Sequence, residues 1–409
     1  MKRLLSSLSL SSTEKLLLFL WIIFSLVLFF YSFTQIDLGL VVSRYPFFYS
    51  IEKAFQYVGY FKRDLSTYWY ISTIVGGFLI FGYTLFLTQK NRLTKHGLFL
   101  IVFVVSLILA FSYNAFSYDL FNYIFDAKIL THYHLNPYEY KALDFPADPM
   151  LGFLHWTHRT YPYGPVWLAL TVPLSFIGGN IFIVTFFLFK SLALVCYLVF
   201  CYYFYRLVQV YDEKRAVFLT TFLVLNPLFL LEFLVSAHND SAMFALGIMA
   251  VYYLLKKHQV MAYSLLLLSI GVKFATIFLL PAFLLSTIYM VYKNEIPKKL
   301  FLFIATFGMT CAFLLVSYRT TFQPWYLIYF LPFLYLFPWK KEAGWIIFVM
   351  SILTAGYYVP YLLYGAWNSG TVGFVGYNYM MSIFPIIVIL LFIFSLWHLA
   401  QVLLLKQYE

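Results

Sequence analysis

Residues 97–130 read GLFLIVFVVSLILAFSYNAFSYDLFNYIFDAKIL. The first half of this stretch, 97–113, carries no charged side chain and approaches the roughly 20 apolar residues that a membrane-spanning helix needs. The second half introduces Asp119, Asp126 and Lys128 among aromatic residues. An apolar helix that opens directly into a polar, aromatic segment predicts an all-α polytopic integral membrane protein.

The composition of the whole chain supports this class. Of 409 residues, 63% are hydrophobic and 11% are charged, and the mean hydropathy is +0.84. A soluble domain has about a quarter of its residues charged, so lipid must solvate much of this surface. We predict a single transmembrane domain over 1–409 with about 12–13 transmembrane helices and no separate soluble domain. The candidate spans are 16–35, 68–88, 97–113, 181–205, 216–236, 241–255, 259–271, 274–292, 300–317, 325–338, 344–364 and 381–404.

The net charge of +11 comes largely from basic residues in short loops between apolar runs. That distribution is typical of the positive-inside rule rather than of nucleic-acid binding. It places the segment 114–162 outside the cytoplasm, together with Asp240, Lys273 and Arg319. The assignments agree with each other only if the apolar run 164–178 does not cross the membrane fully. We therefore expect that run to dip into the membrane or lie on it and to line a cavity.

The segment 114–162 is predicted to be a catalytic outer loop with short juxtamembrane helices. Asp119, Asn122 and Asp126 are spaced by three and four residues, which places them on one face of a helix. Asp119 follows a membrane helix directly, and a partly desolvated carboxylate there suits a general base. Asp is also a favoured N-cap residue, so Asp119 could equally cap the next helix. The residues alone leave both interpretations open.

Further polar side chains interrupt the apolar pattern. His155, His158 and Arg159 precede Tyr161-Pro162 and could bind a phosphate or sugar hydroxyls. A metal is the weaker interpretation of the two histidines, because no third ligand stands nearby.

Ionisable residues at membrane depth usually have a function. His238 and Asp240 separate two apolar helices, and Lys273 lies between two apolar half-helices. Lys273 requires an anion, either a carboxylate or a ligand phosphate. Glu232 is a candidate partner for Lys273 or for Arg319.

The ordered set of these motifs resembles a known family. It comprises Asp119, Tyr123, Asp126, Asn136-Pro137-Tyr138, Tyr161-Pro162, Asn226-Pro227, His238-Asn239-Asp240, Lys273 and Pro324-Trp325-Tyr326. In this order the motifs are similar to those of polytopic C-type glycosyltransferases (GT-C fold). The nearest branch is the bacterial polyprenol-phosphate-mannose-dependent mannosyltransferases. The family's Asp motif usually follows its first membrane helix, whereas Asp119 follows the third, which implies two additional N-terminal helices.

The resemblance implies a mechanism, partners and a location. A hexose, mannose favoured, would move from polyprenyl phosphate to a hydroxyl of a glycan or glycolipid acceptor, with inversion. No metal and no cofactor beyond the lipid-linked donor are implied, and the other partners are membrane lipids rather than nucleic acid. The location would be the cell (inner or plasma) membrane, with the site on its non-cytoplasmic face. The implied catalytic residues are Asp119, as general base, and Asp126. The implied substrate-binding residues are Tyr123, Asn136, Tyr138, His158, Arg159, Tyr161, His238, Asp240, Lys273, Arg319 and Trp325.

Two other classes of membrane protein compete with this hypothesis. A multi-spanning transporter or flippase of a lipid-linked sugar or anion would tend to show inverted repeats and a charged site near the bilayer midplane. The sequence shows no repeat, and its charges gather on one side. A polysaccharide polymerase or ligase usually carries its large outer loop late in the chain, whereas here the loop comes early.

Overall fold

The computed structural model describes residues 10–320, 322–336 and 341–365, and in this part of the chain every regular element is helical. The helices are α1 Ser12–Ser32, α2 Pro46–Gln56, α3 Arg63–Gln89, α4 Lys95–Ala110, α5 Asp119–Thr131, α6 Pro165–Gly178, α7 Phe182–Tyr211, α8 Ala216–Val224, α9 Pro227–Leu230, α10 Asp240–Leu255, α11 Gln259–Val272, α12 Leu280–Lys293, α13 Lys298–Thr320, α14 Leu331–Leu334, α15 Lys341–Ala355 and α16 Val359–Tyr364. Short 3-10 or π-helical turns extend several of them.

Length and hydropathy identify the membrane-spanning elements. Within the described residues, six helical stretches are long and apolar enough to cross a bilayer, and a seventh arises if the bent pair α8–α9 is counted as one span. Shorter apolar helices, among them α4, α6, α10 and α11, pack between them. The predicted fold class, an all-α polytopic membrane protein, is confirmed. The predicted span 381–404 lies outside the described residues.

Two interruptions of apolar helices hold polar residues inside the bundle. The chain bends by 52° between α8 and the helical stretch that starts at Pro227, and this stretch ends in a π-helical turn, Leu231–Val235. Lys273 has an extended backbone (φ −154°, ψ 129°) between α11 and the 3-10 turn Phe274–Leu279. The predicted break at Gly271-Val272-Lys273 is therefore present, but Phe274–Lys293 is by length and hydropathy a candidate span of its own rather than a half-helix.

Helix α6 covers the run that we expected not to cross the membrane. Its 14 residues span about 21 Å at 1.5 Å per residue, less than a hydrocarbon core of about 30 Å. Its N-terminal end is fixed by a close backbone approach, in which the Gly164 amide donates to the Val272 carbonyl (3.2 Å). A Cβ at Gly164 would collide with the Gly271 carbonyl, so only glycine permits this approach. The loop before α6 is thereby held beside Lys273. Whether α6 crosses the membrane stays a prediction.

Helix α2 has the amphipathic pattern of a helix that lies along the membrane interface. Its polar Glu52 and Gln56 face the protein, where Glu52 accepts from the Val42 amide and Gln56 donates to the Asp37 carbonyl. Its exposed face carries Phe47, Phe48 and Ile51. A helix whose polar side packs against the protein and whose apolar side is exposed can place that apolar side against lipid, as interfacial helices do.

Candidate active site

Asp119 is the first residue of α5 and lies at the mouth of the polar interior. The residue before it, Tyr118, occupies the N-cap position without a side-chain capping bond, and the Ser117 hydroxyl accepts from the Asp119 amide (3.1 Å). The Asp119 carboxylate instead faces His238, with Oδ2 3.4 Å from Nδ1, while 14% of its side chain stays exposed. Of the two interpretations that the sequence left open, the geometry favours the one in which this carboxylate can meet a substrate.

His238 lies between two carboxylates. Its Nδ1 faces Asp119, and its Nε2 is 3.3 Å from Glu232 Oε2. Both separations are long for hydrogen bonds, so the contacts act chiefly as ion pairs with a protonated imidazole. Trp325 covers the ring with centroids 3.9 Å apart, and the Tyr358 hydroxyl donates to Glu232 (2.9 Å). Glu232 therefore pairs with His238 and Tyr358, and the predicted pairing with Lys273 or Arg319 is wrong.

This arrangement lowers the pKa of Asp119 and raises the pKa of His238. Burial alone would raise the pKa of Asp119, but the contact with His238 and the charges of His238, Lys273 and Arg159 bring it below its usual range. Burial alone would lower the pKa of His238, but Asp119 and Glu232 together raise it to about 9. At neutral pH Asp119 is thus a carboxylate and His238 an imidazolium.

The raised pKa of His238 predicts a pH-dependent stability. Because the folded pKa exceeds the ordinary 6.5, the contribution is complete below pH 6.5 and is lost as pH rises through about 9. Its size is on the order of 3 kcal/mol. We expect the melting temperature of the wild type in detergent to fall relative to His238→Gln as pH is raised from 6.5 to 10. His96→Gln, which changes an exposed histidine, is the control. A constant difference between wild type and His238→Gln over this range would contradict the assignment.

Lys273 and Asp240 form the second ion pair of the site. Lys273 Nζ lies 3.0 Å from Oδ1 and 2.8 Å from Oδ2, so the ammonium bridges both carboxylate oxygens. It also lies 5.7 Å from the ring centroids of Tyr326 and Tyr329. Asp240 is fully buried, whereas 19% of the Lys273 side chain is exposed. The anion that Lys273 was expected to require is therefore Asp240, and the Lys273 side chain remains partly exposed.

Asp126 lines a pocket on the same face of α5 as Asn122. The opposite wall consists of Trp156, Arg159 and Tyr163. Burial raises the pKa of Asp126 to about 8, with the Arg159 charge lowering it and the Asp119 charge raising it. At neutral pH this carboxyl is mostly protonated and can donate a hydrogen bond. Asp119 and Asp126 thus offer an ionised and a neutral carboxyl along one helix face, the pattern that separates a base from an acid.

The other sequence-predicted residues fall into two groups. Tyr123 and Tyr161 are buried beside the pocket, and Tyr123 packs edge-on against Tyr163. Asn136 and Tyr138 build the turn that supports it, since the Asn136 side chain accepts from the Tyr138 amide and the Tyr138 hydroxyl donates to the Tyr163 carbonyl.

His158 and Arg319 are exposed and stand apart from the paired residues. Among the described residues, no ion pair or hydrogen bond ties Arg319 to Asp119, His238 or Lys273. The structure thus groups Arg159, His238 and Lys273 near Asp119 and leaves His158 and Arg319 outside that group.

Sequence reasoning missed Lys190. Its fully buried ammonium donates to the carbonyls of Leu234 and Val235 (3.0 Å for Val235) and to the Ser112 hydroxyl (3.3 Å). It therefore ties the end of α4, which leads to Asp119, to the π-helical turn that leads to His238. The available signal was a lone cation inside the apolar run 181–205, a position where a charge is rarely without purpose.

Comparison with known proteins assigns the chain to a family. No curated protein and no solved structure matches the chain. Residues 39–289 match the MptA_B family, described as alpha-(1->6)-mannopyranosyltransferase, N-terminal domain. The match covers more than half of the chain and includes α3 and α4, so only α1 of the helices before Asp119 lies outside it. It also includes Asp119, His238, Asp240 and Lys273. The chain therefore belongs to the alpha-(1->6)-mannopyranosyltransferase (MptA_B) family and is a membrane glycosyltransferase.

Proposed function

We propose that the protein transfers mannose from a polyprenyl-phosphate donor to a hydroxyl of a glycan or glycolipid acceptor, with inversion at the anomeric carbon. The observation that carries the proposal is the ionised, partly exposed carboxylate of Asp119 among three cationic side chains. A base and a set of cations are the two components that displacement of a lipid phosphate from a sugar requires.

The proposed reaction is a single displacement at the anomeric carbon, with Asp119 as the base. The acceptor oxygen attacks the anomeric carbon, the bond from that carbon to the phosphate oxygen breaks, and polyprenyl phosphate leaves. Asp119 takes the acceptor's hydroxyl proton. Because its pKa is lowered by His238, Asp119 is a weak base toward a free hydroxyl. The proton therefore moves as the new carbon–oxygen bond forms, when the hydroxyl has become acidic.

The cations serve the leaving phosphate. Arg159 is exposed and lines the pocket beside Asp126, and Lys273, whose charge acts on Asp119, is partly exposed, so both are available to a ligand anion. A phosphate that approached Lys273 would share the ammonium with Asp240 rather than leave that buried carboxylate unpaired. The protonated carboxyl of Asp126 can donate a hydrogen bond to a phosphate or sugar oxygen. The proposal uses no metal and no further cofactor.

The proposal places the reaction at the non-cytoplasmic face of the cell membrane. Its support is the distribution of basic loop residues, which puts Asp119, Asp240 and Lys273 on one side. The exposed aromatic face of α2 would then rest in the outer leaflet, where the lipid tail of the donor enters.

The donor class can be tested with the purified protein in proteoliposomes. We expect transfer of labelled mannose to a mannoside acceptor from polyprenyl-phosphate mannose and none from nucleotide-activated mannose. Transfer from the nucleotide sugar alone would overturn the donor assignment. Movement of the lipid-linked sugar across the bilayer without any new glycosidic bond would instead favour a flippase.

A further inference from the structure

A second cavity lies on the other side of α5 from the candidate active site. Its volume is about 240 Å³, and its lining includes Ile124 and Lys128. An α-helix turns about 100° per residue, so Lys128 projects about 200° away from Asp126. The cavity forms where α5 meets the 3-10 turn Pro149–Gly152 and the start of α7. It is therefore a separate site, reached from a different face of the outer segment.

The only charged pair in the lining is already neutralised. Lys128 Nζ lies 2.5 Å from Asp148 Oδ2, and both side chains are almost completely buried. Asp148 also accepts from the Tyr133 hydroxyl (2.7 Å) and the Met150 amide (2.8 Å). The pair therefore has no excess charge with which to attract an ion, and it gives the cavity a fixed, polar wall.

The whole lining, this pair included, combines hydrogen-bonding side chains with a larger apolar surface. Seven of the eleven lining residues have polar side chains. The hydroxyls of Thr131 and Ser175 hydrogen-bond each other at 2.8 Å, the Thr131 hydroxyl also lies 3.1 Å from the Ala127 carbonyl, and their oxygens keep acceptor capacity. His132 adds an imidazole, and Phe182 adds a ring. Neutral donors and acceptors beside an aromatic ring match the alternating hydroxyls and C–H faces of a sugar.

We infer that this cavity binds one ring of a neutral carbohydrate, a sugar unit of the acceptor glycan distant from the hydroxyl that reacts. The inference rests on the proposed function, because the acceptor is there a glycan. A lipid tail would cover the His132 imidazole and the Asn180 amide without offering either a hydrogen-bond partner, which is unfavourable. An anion would find no unbalanced positive charge at Lys128. The volume suits a single ring, so a longer glycan would place one unit here and extend outward.

Direct binding measurements test the inference without relying on turnover. The full chain in nanodiscs is titrated with methyl α-mannoside and with an α-linked mannotriose, using saturation-transfer NMR. Ser175→Leu fills the cavity and is expected to weaken mannotriose binding at least about tenfold. His132→Ala removes an exposed imidazole, and a loss of about two- to tenfold is expected. The control is Thr171→Val, one turn before Ser175 on α6, whose hydroxyl bonds the Trp167 carbonyl.

The outcomes separate this inference from the proposed function. Weaker mannotriose binding in both Ser175→Leu and His132→Ala, with Thr171→Val like the wild type, supports the cavity even if no sugar transfer is found. Unchanged binding in both variants overturns it, even if transfer from polyprenyl-phosphate mannose is confirmed. Saturation of the cavity by inorganic phosphate or by anionic lipid vesicles, in competition with mannotriose, would also overturn it.

Discussion

Asp119→Asn is expected to lower the rate of mannosyl transfer by about 10²–10⁴-fold, the usual contribution of a general base. The amide has nearly the same shape as the carboxylate but cannot take the acceptor's proton. It also removes the negative charge that faces His238 Nδ1, while Glu232 still pairs with Nε2. The imidazolium thus keeps one partner, so we expect the fold to survive and the defect to appear in kcat.

The measurement is initial-rate transfer from polyprenyl-phosphate mannose by purified protein, with the melting temperature determined in parallel. Asp144→Asn is the matched control, because Asp144 is an exposed carboxylate of the same outer segment. It should stay within about twofold of the wild type. Turnover near the wild-type value in Asp119→Asn would exclude the proposed base. If Asp126→Asn or Asp240→Asn abolished transfer instead, the reaction class would stand and the base would be reassigned.

Lys273→Met is expected to destabilise the protein by about 3–5 kcal/mol, because it leaves a buried carboxylate without its cation. Asp240 is fully buried and both of its oxygens contact Lys273. Asp240→Asn should destabilise less, since 19% of the Lys273 side chain is exposed and the ammonium can turn toward water. The double variant Lys273→Met/Asp240→Asn should recover much of the stability that Lys273→Met loses, because no buried charge remains.

Melting temperatures in detergent provide the comparison, and Lys299→Met, at an exposed lysine, is the control. A Lys273→Met protein as stable as the wild type would contradict the role of the pair. A double variant no more stable than Lys273→Met alone would contradict the explanation. The double variant should still transfer mannose poorly, since the proposed phosphate cation is absent. Stability and activity are therefore expected to separate.

Several features of the site were predictable because they depend on residues close in the chain. The spacing of Asp119, Asn122 and Asp126 predicted a common helix face, and Asn122 and Asp126 line one pocket on α5. The polar residue Lys273 predicted a break between two apolar helices, and the backbone breaks there, although the second stretch is long enough to span the membrane by itself. Such features follow from local periodicity and from the penalty for charge in an apolar run.

The partners of these residues were not predictable in the same way. Glu232 was assigned to Lys273 or Arg319 because a buried carboxylate needs a cation, yet the structure pairs it with His238. Lys190 was overlooked because its acceptors are backbone carbonyls and a hydroxyl. These groups are uncharged, so no acidic residue in the sequence indicates the contact. Both depend on which helices become neighbours, and no local period encodes that choice.

The apolar run 97–113, with the polar segment that follows it, determined by itself that this is a membrane protein with a candidate base at the end of a helix. Hydropathy and helical periodicity are properties of consecutive residues, so the sequence suffices for them. Only the tertiary structure showed that His238 lowers the pKa of the buried Asp119, that Lys273 forms an ion pair with Asp240 and that burial raises the pKa of Asp126. Those properties depend on burial and on charges brought together from distant parts of the chain, and helix packing alone determines both.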